Sequence, residues 1–337
     1  MSDRDGPLVH VVTPVYNGGR YLRQCIESVI AQTHRNWRYT LVNNRSTDDT
    51  QEIAAHYARL DPRIQVHDNA AFLPIIENHN LAFSLIAADS GYCKPLMADD
   101  WLYPECLETM LSAALARPSI GLVCTAAATV TNIVLFEKLP PTDEPVTLLS
   151  GRQAGRVSFL EDRYFFGSPT TMLIRADLIR KRTPFYNPAN LHADEESCYD
   201  ILRESDFVFV HRVLAFIRLH EHSQTAAVQA LGTIPSSRTY SLAKYGRNYL
   251  TEAEFRRRWH QRMREYYRRL AIAACQFPGA RYWEYHRRML ALMNAPLSRT
   301  RLAAAIVSYL ARRALCPLSL LRSAAQRLST VLRRAHS

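Results

Sequence analysis

Apolar residues in the first 130 positions alternate between two periods. Residues 8–13, LVHVVT, form a short β-branched run that ends at Pro14, the pattern of a strand. The next stretch, VYNGGRYLRQCIESVIAQT, spaces Leu22, Cys25, Ile26, Val29 and Ile30 three or four apart, which predicts a helix with one apolar face. The same alternation continues. Trp37 to Val42 reads as a strand. A polar loop from Asn43 to Thr50 follows, with Ser46 or Thr47 expected to cap a helix that carries Ile53, Ala54 and Tyr57. Arg63 to His67 is a third strand, Ile75 to Ala87 a helix, Tyr92 to Leu96 a fourth strand, Glu105 to Ala116 a helix and Ile120 to Thr129 another strand.

Repeated strand and helix alternation predicts an α/β chain with a mainly parallel sheet flanked by helices. Such a sheet gathers the strand C-termini at one edge, where ligands of open α/β sheets bind. The loops after strands 1, 2 and 4 are therefore expected to share one crevice. The loop after strand 1 lacks GxGxxG, and the chain has no GxxxxGK[ST], so neither dinucleotide nor P-loop chemistry is indicated. After strand 4 come Asp99 and Asp100, then Trp101, Leu102 and Pro104. Adjacent carboxylates leaving a sheet serve either as a helix start, where they meet free N–H groups, or as ligands for a divalent cation.

Composition changes this picture in two places. The 337 residues are 47% hydrophobic and 22% charged, ordinary for a folded protein of one or two domains. No run of about eighteen uncharged apolar residues occurs, and the opening MSDRDGPLVH has no signal-peptide pattern, so the protein is expected in the cytoplasm. The seven cysteines include no CxxC pair, and several sit in apolar runs, which predicts reduced thiols without zinc. The net charge of +11 is unevenly distributed: from Arg238 onward there are 21 Lys/Arg and 4 Asp/Glu, against 21 and 27 before it.

Three stretches, VVTPVYNGGRYLRQCIESVIAQT, LVNNRSTDDT and KPLMADDWLYPECLE, together resemble the nucleotide-sugar domain of the family 2 glycosyltransferases, inverting enzymes with the Rossmann-like GT-A fold. The resemblance covers about residues 7–225. It implies a GT-A catalytic domain over residues 1–230, with a nucleotide-sugar half at about 7–130 and an acceptor half at about 131–230. It further implies a nucleotide-sugar donor, commonly a UDP-sugar, with Mg²⁺ or Mn²⁺ on its diphosphate. By the same resemblance Pro14, Val15 and Tyr16 line the base pocket, Asn44 faces the base, and Asp99 and Asp100 form the metal and diphosphate site. Asn43 and Asn44 replace the aspartates usual in the family, which leaves the nucleotide open. Asn43 also suits an Asx turn.

In the acceptor half, Ser150 to Asp162 reads as a helix. The segment YFFGSPTTMLIRADLI resembles the family's acceptor side, with Gly167 and Ser168 ahead of a strand, Thr171 to Arg175. Asp194, with Glu195 second, stands where the family has its general base; an acid-loaded helix start is the plainer reading of Asp194, Glu195 and Glu196. Arg218 and His220 match the family's Arg-x-His near the diphosphate, which makes His220 a candidate metal or phosphate ligand, and His222 follows it.

Residues 231–337 read as a basic, mainly helical extension. Near its end Leu321, Ala325, Leu328 and Leu332 recur at helical spacing while Arg322, Arg327, Arg333 and Arg334 lie elsewhere. Such a helix suits an anionic membrane surface, as expected of an enzyme with a glycan or lipid-linked acceptor, and equally suits packing on the catalytic domain or a dimer contact. No nucleic-acid motif accompanies the arginines, and nucleic acid is not an expected partner. Two other readings remain open: a nucleotidyltransferase, although the Gly- and Arg-rich phosphate loop of that class is missing, and a non-enzymatic scaffold or nucleic-acid binder acting through the basic tail.

Overall fold

The computed structural model describes residues 6–129, 133–134, 144–219 and 231–314. The candidates His220 and His222, Cys316 and the repeat at 321–334 lie outside the described residues.

The chain forms two compact units, one of residues up to Thr233 together with Tyr245–Thr251, the other of Ile234–Lys244 and the chain from Glu252 onward. The first unit is built on β1 (Val9–Val15), α1 (Gly19–Ile30), β2 (Trp37–Asn43), α2 (Thr50–Leu60), β3 (Ile64–Asp68), α3 (Ile75–Ser84), β4 (Tyr92–Pro95), β5 (Trp101–Leu102), α4 (Cys106–Leu115) and β6 (Ile120–Ala128). It continues with β7 (Ile133–Val134), β8 (Val146–Leu149), α5 (Gly151–Glu161), a 3₁₀ turn (Pro169–Thr171), β9 (Met172–Arg175), α6 (Ala176–Arg180), α7 (Ala193–Ile201) and β10 (Asp206–Phe216).

These strands make one sheet in the order β3-β2-β1-β4-β9-β6-β10-β5, with β7 on β6 and β8 on β10. The pairs among β3, β2, β1 and β4 are parallel, as is β6 with β10. Antiparallel β9 stands between β4 and β6. The sheet is thus mostly parallel, as the strand and helix alternation requires. Six of the seven residues of β1 are buried, which fits a central strand covered on both faces and explains its continuous apolar run.

Helix α1 buries Leu22, Cys25, Ile26 and Val29, the face the spacing predicts. Its start requires glycine. A Cβ on Gly19 would stand 1.6 Å from Asp49 Oδ1, and the Gly19 N–H donates to Asp48 Oδ2 at 3.0 Å. Helix α2 departs from expectation, because Ser46 and Thr47 do not cap it. Ser46 Oγ accepts from Asn17 N at 2.9 Å and Thr47 N donates to Asn17 Oδ1 at 2.8 Å, so both residues tie the β2 loop to the β1 loop, and the helix begins later, behind Asp49. The short strands β5, β7 and β8 were not anticipated either, since their pairing to β6 and β10 is set by partners far along the chain.

The second unit draws on part of α8 (Thr233–Tyr249) and on α9 (Glu252–Ala274), α10 (Ala280–Leu292) and α11 (Arg299–Ala314). Its core holds Tyr240, Met263, Tyr266, Tyr267, Leu270, Met289, Leu290 and Met293. Tyr266 Oη pairs with His286 Nδ1 at 2.7 Å inside it. Among the described residues no helix is long and apolar enough to cross a membrane.

Helix α5 opens with a full capping box, in which Ser150 Oγ accepts from Gln153 N at 3.2 Å and Gln153 Oε1 accepts from Ser150 N at 2.9 Å. Ser150→Ala is therefore expected to cost about 1 kcal/mol of stability. Arg152→Ala, on the exposed side of the same helix, should change it by less than about 0.5 kcal/mol. Urea denaturation of the two variants checks the contrast.

Candidate active site

The parallel half of the sheet places the ends of β2, β1 and β4 side by side. Asn44 N donates to the Val15 carbonyl at 2.8 Å, and Thr13 Oγ1 donates to the Leu96 carbonyl at 2.8 Å, so the three loops are stitched along one edge. At one end of it Pro14 and Val15 close β1, and Tyr16 stands 50% exposed. Its ring meets Phe72, 58% exposed, edge to face at 5.0 Å. Two large aromatic rings in water side by side form a stacking surface. Phe72 escaped the sequence reading, because an aromatic residue in a polar loop carries no periodic signal.

Asn44 explains how Phe72 gets there. Its Oδ1 accepts from Leu73 N and from Asn69 Nδ2, and its Nδ2 donates to the Leu73 carbonyl, each at 2.8 Å. The buried amide thus pairs with Leu73 as a second backbone would and holds the loop that displays Phe72. Asn43 donates to Gln51 Oε1 and Asp68 Oδ1 at 2.7 and 2.9 Å, and its Oδ1 accepts from Ser46 N at 3.1 Å, the Asx geometry that orders its own loop.

Toward the sheet centre lie Asp99, half-buried, and Asp100, 3% exposed. Two distant segments grip Asp100: Arg218 N donates to Oδ1 at 2.9 Å and Thr170 Oγ1 donates to Oδ2 at 2.5 Å. Burial, and then the Asp99 charge, push the Asp100 carboxyl up to about 7, against the pull of these two hydrogen bonds. The Arg218 side chain takes other partners. It lies over the Tyr21 ring at 4.1 Å and near Trp101 at 5.2 Å, while Nε donates to the Asp99 carbonyl at 3.1 Å and Nη2 to Gln24 Oε1 at 2.9 Å. Arg218 therefore clamps the Asp99-Asp100 turn onto α1.

Gly167 and Ser168, expected on the acceptor side, lie on the segment that leads into β9. Gly167 adopts φ +79°, a conformation only glycine takes readily, and Ser168 follows with a buried Oγ that has no hydrogen-bond partner among the described residues. Thr170, unsuspected from the sequence, links this segment to Asp100. Further on, Asp194 sits half-buried in the first turn of α7, where its charge reaches His79 and Tyr186. His79 Nδ1 donates to the Ile75 carbonyl at 2.7 Å, its ring lies 5.8 Å from that of Tyr186, and burial holds the imidazole below its usual range. Glu195 is buried, with Tyr199 Oη 3.4 Å from Oε1. Glu196 is a structural acid: it accepts from Asn187 and Asn190 at 2.9–3.1 Å and from Tyr245 Oη at 3.3 Å.

Among the described residues no three His, Cys, Asp or Glu side chains cluster as a complete metal site. The donor set still fits a hard divalent ion. Among the described residues both Asp100 oxygens accept only from neutral groups, each keeps a lone pair, and Asp99 adds a second carboxylate, while magnesium and manganese complete their shells with phosphate oxygens and water.

Comparison with known proteins identifies the class. A model described as Glycosyl transferase family 2 matches residues 10–183, a little over half of the chain. The glycosyltransferase GlyA of Streptococcus pneumoniae is 33% identical over 103 residues, 30% of this chain and 14% of that protein. The first curated relatives are matched over about a third of their own length or less. Among solved structures, S. aureus TarS 1-349 superposes with a TM-score of 0.60 at 14% identity, covering 88% of this chain and 83% of TarS 1-349, and structures of the same fragment with UDP and UDP-GlcNAc match as well. The mannosyltransferase PcManGT of Pyrobaculum calidifontis, in complex with GDP-Man and Mn²⁺, gives 0.54 at 13% identity over 93% of this chain and 87% of its own. These superpositions establish the shared GT-A fold. Because the matched span begins within β1 and runs past Thr170, taking in both the Tyr16 and the Asp100 ends of the sheet edge, the chain belongs to glycosyl transferase family 2.

Proposed function

We propose that this glycosyltransferase is an inverting enzyme that moves a sugar from a nucleotide-sugar donor, a UDP-sugar foremost, to a hydroxyl of a glycan or lipid-linked acceptor, as in polysaccharide assembly. The observation that carries the reading is Asp100, buried beside Asp99 with neutral donors from Thr170 and Arg218 N on its oxygens, on the same edge as the exposed Tyr16 and Phe72 rings. The nucleobase stacks against Tyr16, with Pro14 and Val15 beneath and Phe72 at the side, and Asn44 serves the donor by holding the Phe72 loop. The UDP and UDP-GlcNAc complexes of TarS support a uracil nucleotide, and the GDP-Man complex of PcManGT keeps a guanine donor in the comparison.

Asp99 and Asp100, with His220 as a third ligand, hold Mg²⁺ or Mn²⁺. Such an ion supplies Lewis-acid stabilisation of the diphosphate charge. In the transfer itself, Asp194 takes the proton from the acceptor hydroxyl while that oxygen bonds to the anomeric carbon. The bond from that carbon to the diphosphate oxygen breaks, and its electron pair leaves with the nucleoside diphosphate. Glu195 backs Asp194, while Gly167 and Ser168 give the acceptor close approach and one hydroxyl to pair with.

The second unit supports a membrane-surface role at the cytoplasmic face. Exposed Arg256, Arg257, Arg264, Arg268 and Arg269 on α9 and Arg281, Arg287 and Arg288 on α10 flank a turn at whose tip Phe277 is 91% exposed with φ +53°. A bulky residue in the left-handed region and in water carries two costs at once, which an anionic bilayer that receives the ring and attracts the arginines would offset.

Three outcomes test these assignments. Asp100→Asn should abolish the Mn²⁺-dependent part of UDP affinity in calorimetry, and unchanged affinity would remove the metal role. Asp194→Asn should keep donor binding and lower turnover by about 10²-fold or more; normal turnover would exclude it as the base. Phe277→Ser should reduce flotation with phosphatidylglycerol vesicles and leave binding to free polyphosphate unchanged. A panel of UDP- and GDP-sugars, scored by metal-dependent thermal stabilisation, identifies the donor.

A further inference from the structure

Asp100 takes its orientation from outside its own loop, and one of the two groups that hold it depends on a buried lysine. Thr170 Oγ1 donates to Asp100 Oδ2 at 2.5 Å and accepts from Met97 N at 3.1 Å, so a single hydroxyl joins the carboxylate to the main chain that leads into it. Thr170 lies in the 3₁₀ turn two residues beyond Ser168. The turn is fixed from below by Lys94 of β4, which is wholly buried and whose Nζ donates to the Thr170 carbonyl and, at 3.0 Å, to the Met172 carbonyl.

A lysine is an expensive choice for this place. No carboxylate forms an ion pair with it among the described residues, and burial pulls its pKa down, so the core would be easier to build with methionine, which has similar reach. Methionine, however, cannot donate to two carbonyls. The ladder between β4 and β9 runs through Tyr92↔Arg175 and Cys93↔Ile174. Continued by two residues, it would set Pro95 against Met172, and proline has no N–H to give. The ammonium supplies the donor that the backbone lacks there, and in doing so it sets the position of Thr170.

We propose that Lys94 and Thr170 are positioning residues that fix the Asp100 carboxylate from the acceptor-side segment, so that it meets the donor's divalent ion in one orientation. The inference rests on the metal role of Asp100 proposed above. Its consequence is that metal-dependent donor affinity depends on the segment that carries Gly167 and Ser168, which couples the two halves of the site through one hydroxyl.

The test measures UDP affinity of the full chain by calorimetry, with Mn²⁺ and with EDTA, for Thr170→Val, Thr170→Ser, Lys94→Met and the Lys94→Met/Thr170→Val double variant. Thr170→Val should weaken Mn²⁺-dependent binding about tenfold and leave the EDTA value unchanged, and Thr170→Ser should restore it to within about twofold. If Lys94 acts through Thr170, the double variant is no weaker than the weaker single one. Wild-type binding by Thr170→Val, a Thr170→Ser as weak as the valine variant, or losses that add in the double variant would each overturn the proposal. Should Lys94→Met fail to fold, the valine and serine pair still decides it. A wild-type protein whose UDP affinity ignores Mn²⁺ would strike the metal role itself, a result distinct from a Mn²⁺ dependence that Thr170→Val leaves intact.

Discussion

A carboxylate buried beside a second carboxylate is the constraint on which the rest of this site depends. Asp100 is removed from water, and among the described residues it accepts from an amide and a hydroxyl, which orient it without cancelling its charge. A site of this kind favours a partner with positive charge, and the Asp99 charge strengthens that preference. The three contributors lie far apart in sequence: the turn at 99–101, Thr170 and Arg218. Asp100 is therefore oriented only when the sheet has been completed through β10, the strand that delivers Arg218.

Sheet order accounts for this dependence. Had the chain continued as a plain parallel sheet, β6 would stand next to β4. Instead antiparallel β9 enters between them, and the turn that leads into it brings Thr170 to Asp100. The other end of the edge is simpler. There β3, β2, β1 and β4 follow the parallel pattern, and polar side chains bind the loops to one another. The amide of Asn44 holds the Phe72 loop, Asn17 ties two loops together, and Arg218 pins the aspartate turn to α1. Side-chain amides that mimic backbone pairing give these loops fixed shape without secondary structure of their own.

The family match ends at residue 183, and the arginine-rich helices lie well beyond it. The helical unit has its own aromatic and methionine core, so its charge is carried on a folded surface. The family match takes in most of the mostly parallel sheet, whereas the basic helices beyond it present arginines and Phe277 to water.

The sequence alone determined the parallel framework, because hydrophobic periodicity is a local record of which face of each element is buried. Leu22, Cys25, Ile26 and Val29 lie on one side of α1 at whatever place the helix is docked. It also located Asp99 and Asp100, since paired acids at a strand end stand out by type and spacing. Tertiary structure decided what could not be written locally: that β9 runs antiparallel between β4 and β6, that Ser46 and Thr47 bind Asn17 rather than cap a helix, and that the Asn44 amide is committed to Leu73. Lys94 and Thr170 show the reason most plainly. Each is unremarkable in its own stretch of chain, and their roles arise from contacts across seventy or more residues, at a point where Pro95 leaves β4 without a donor and a buried ammonium takes its place.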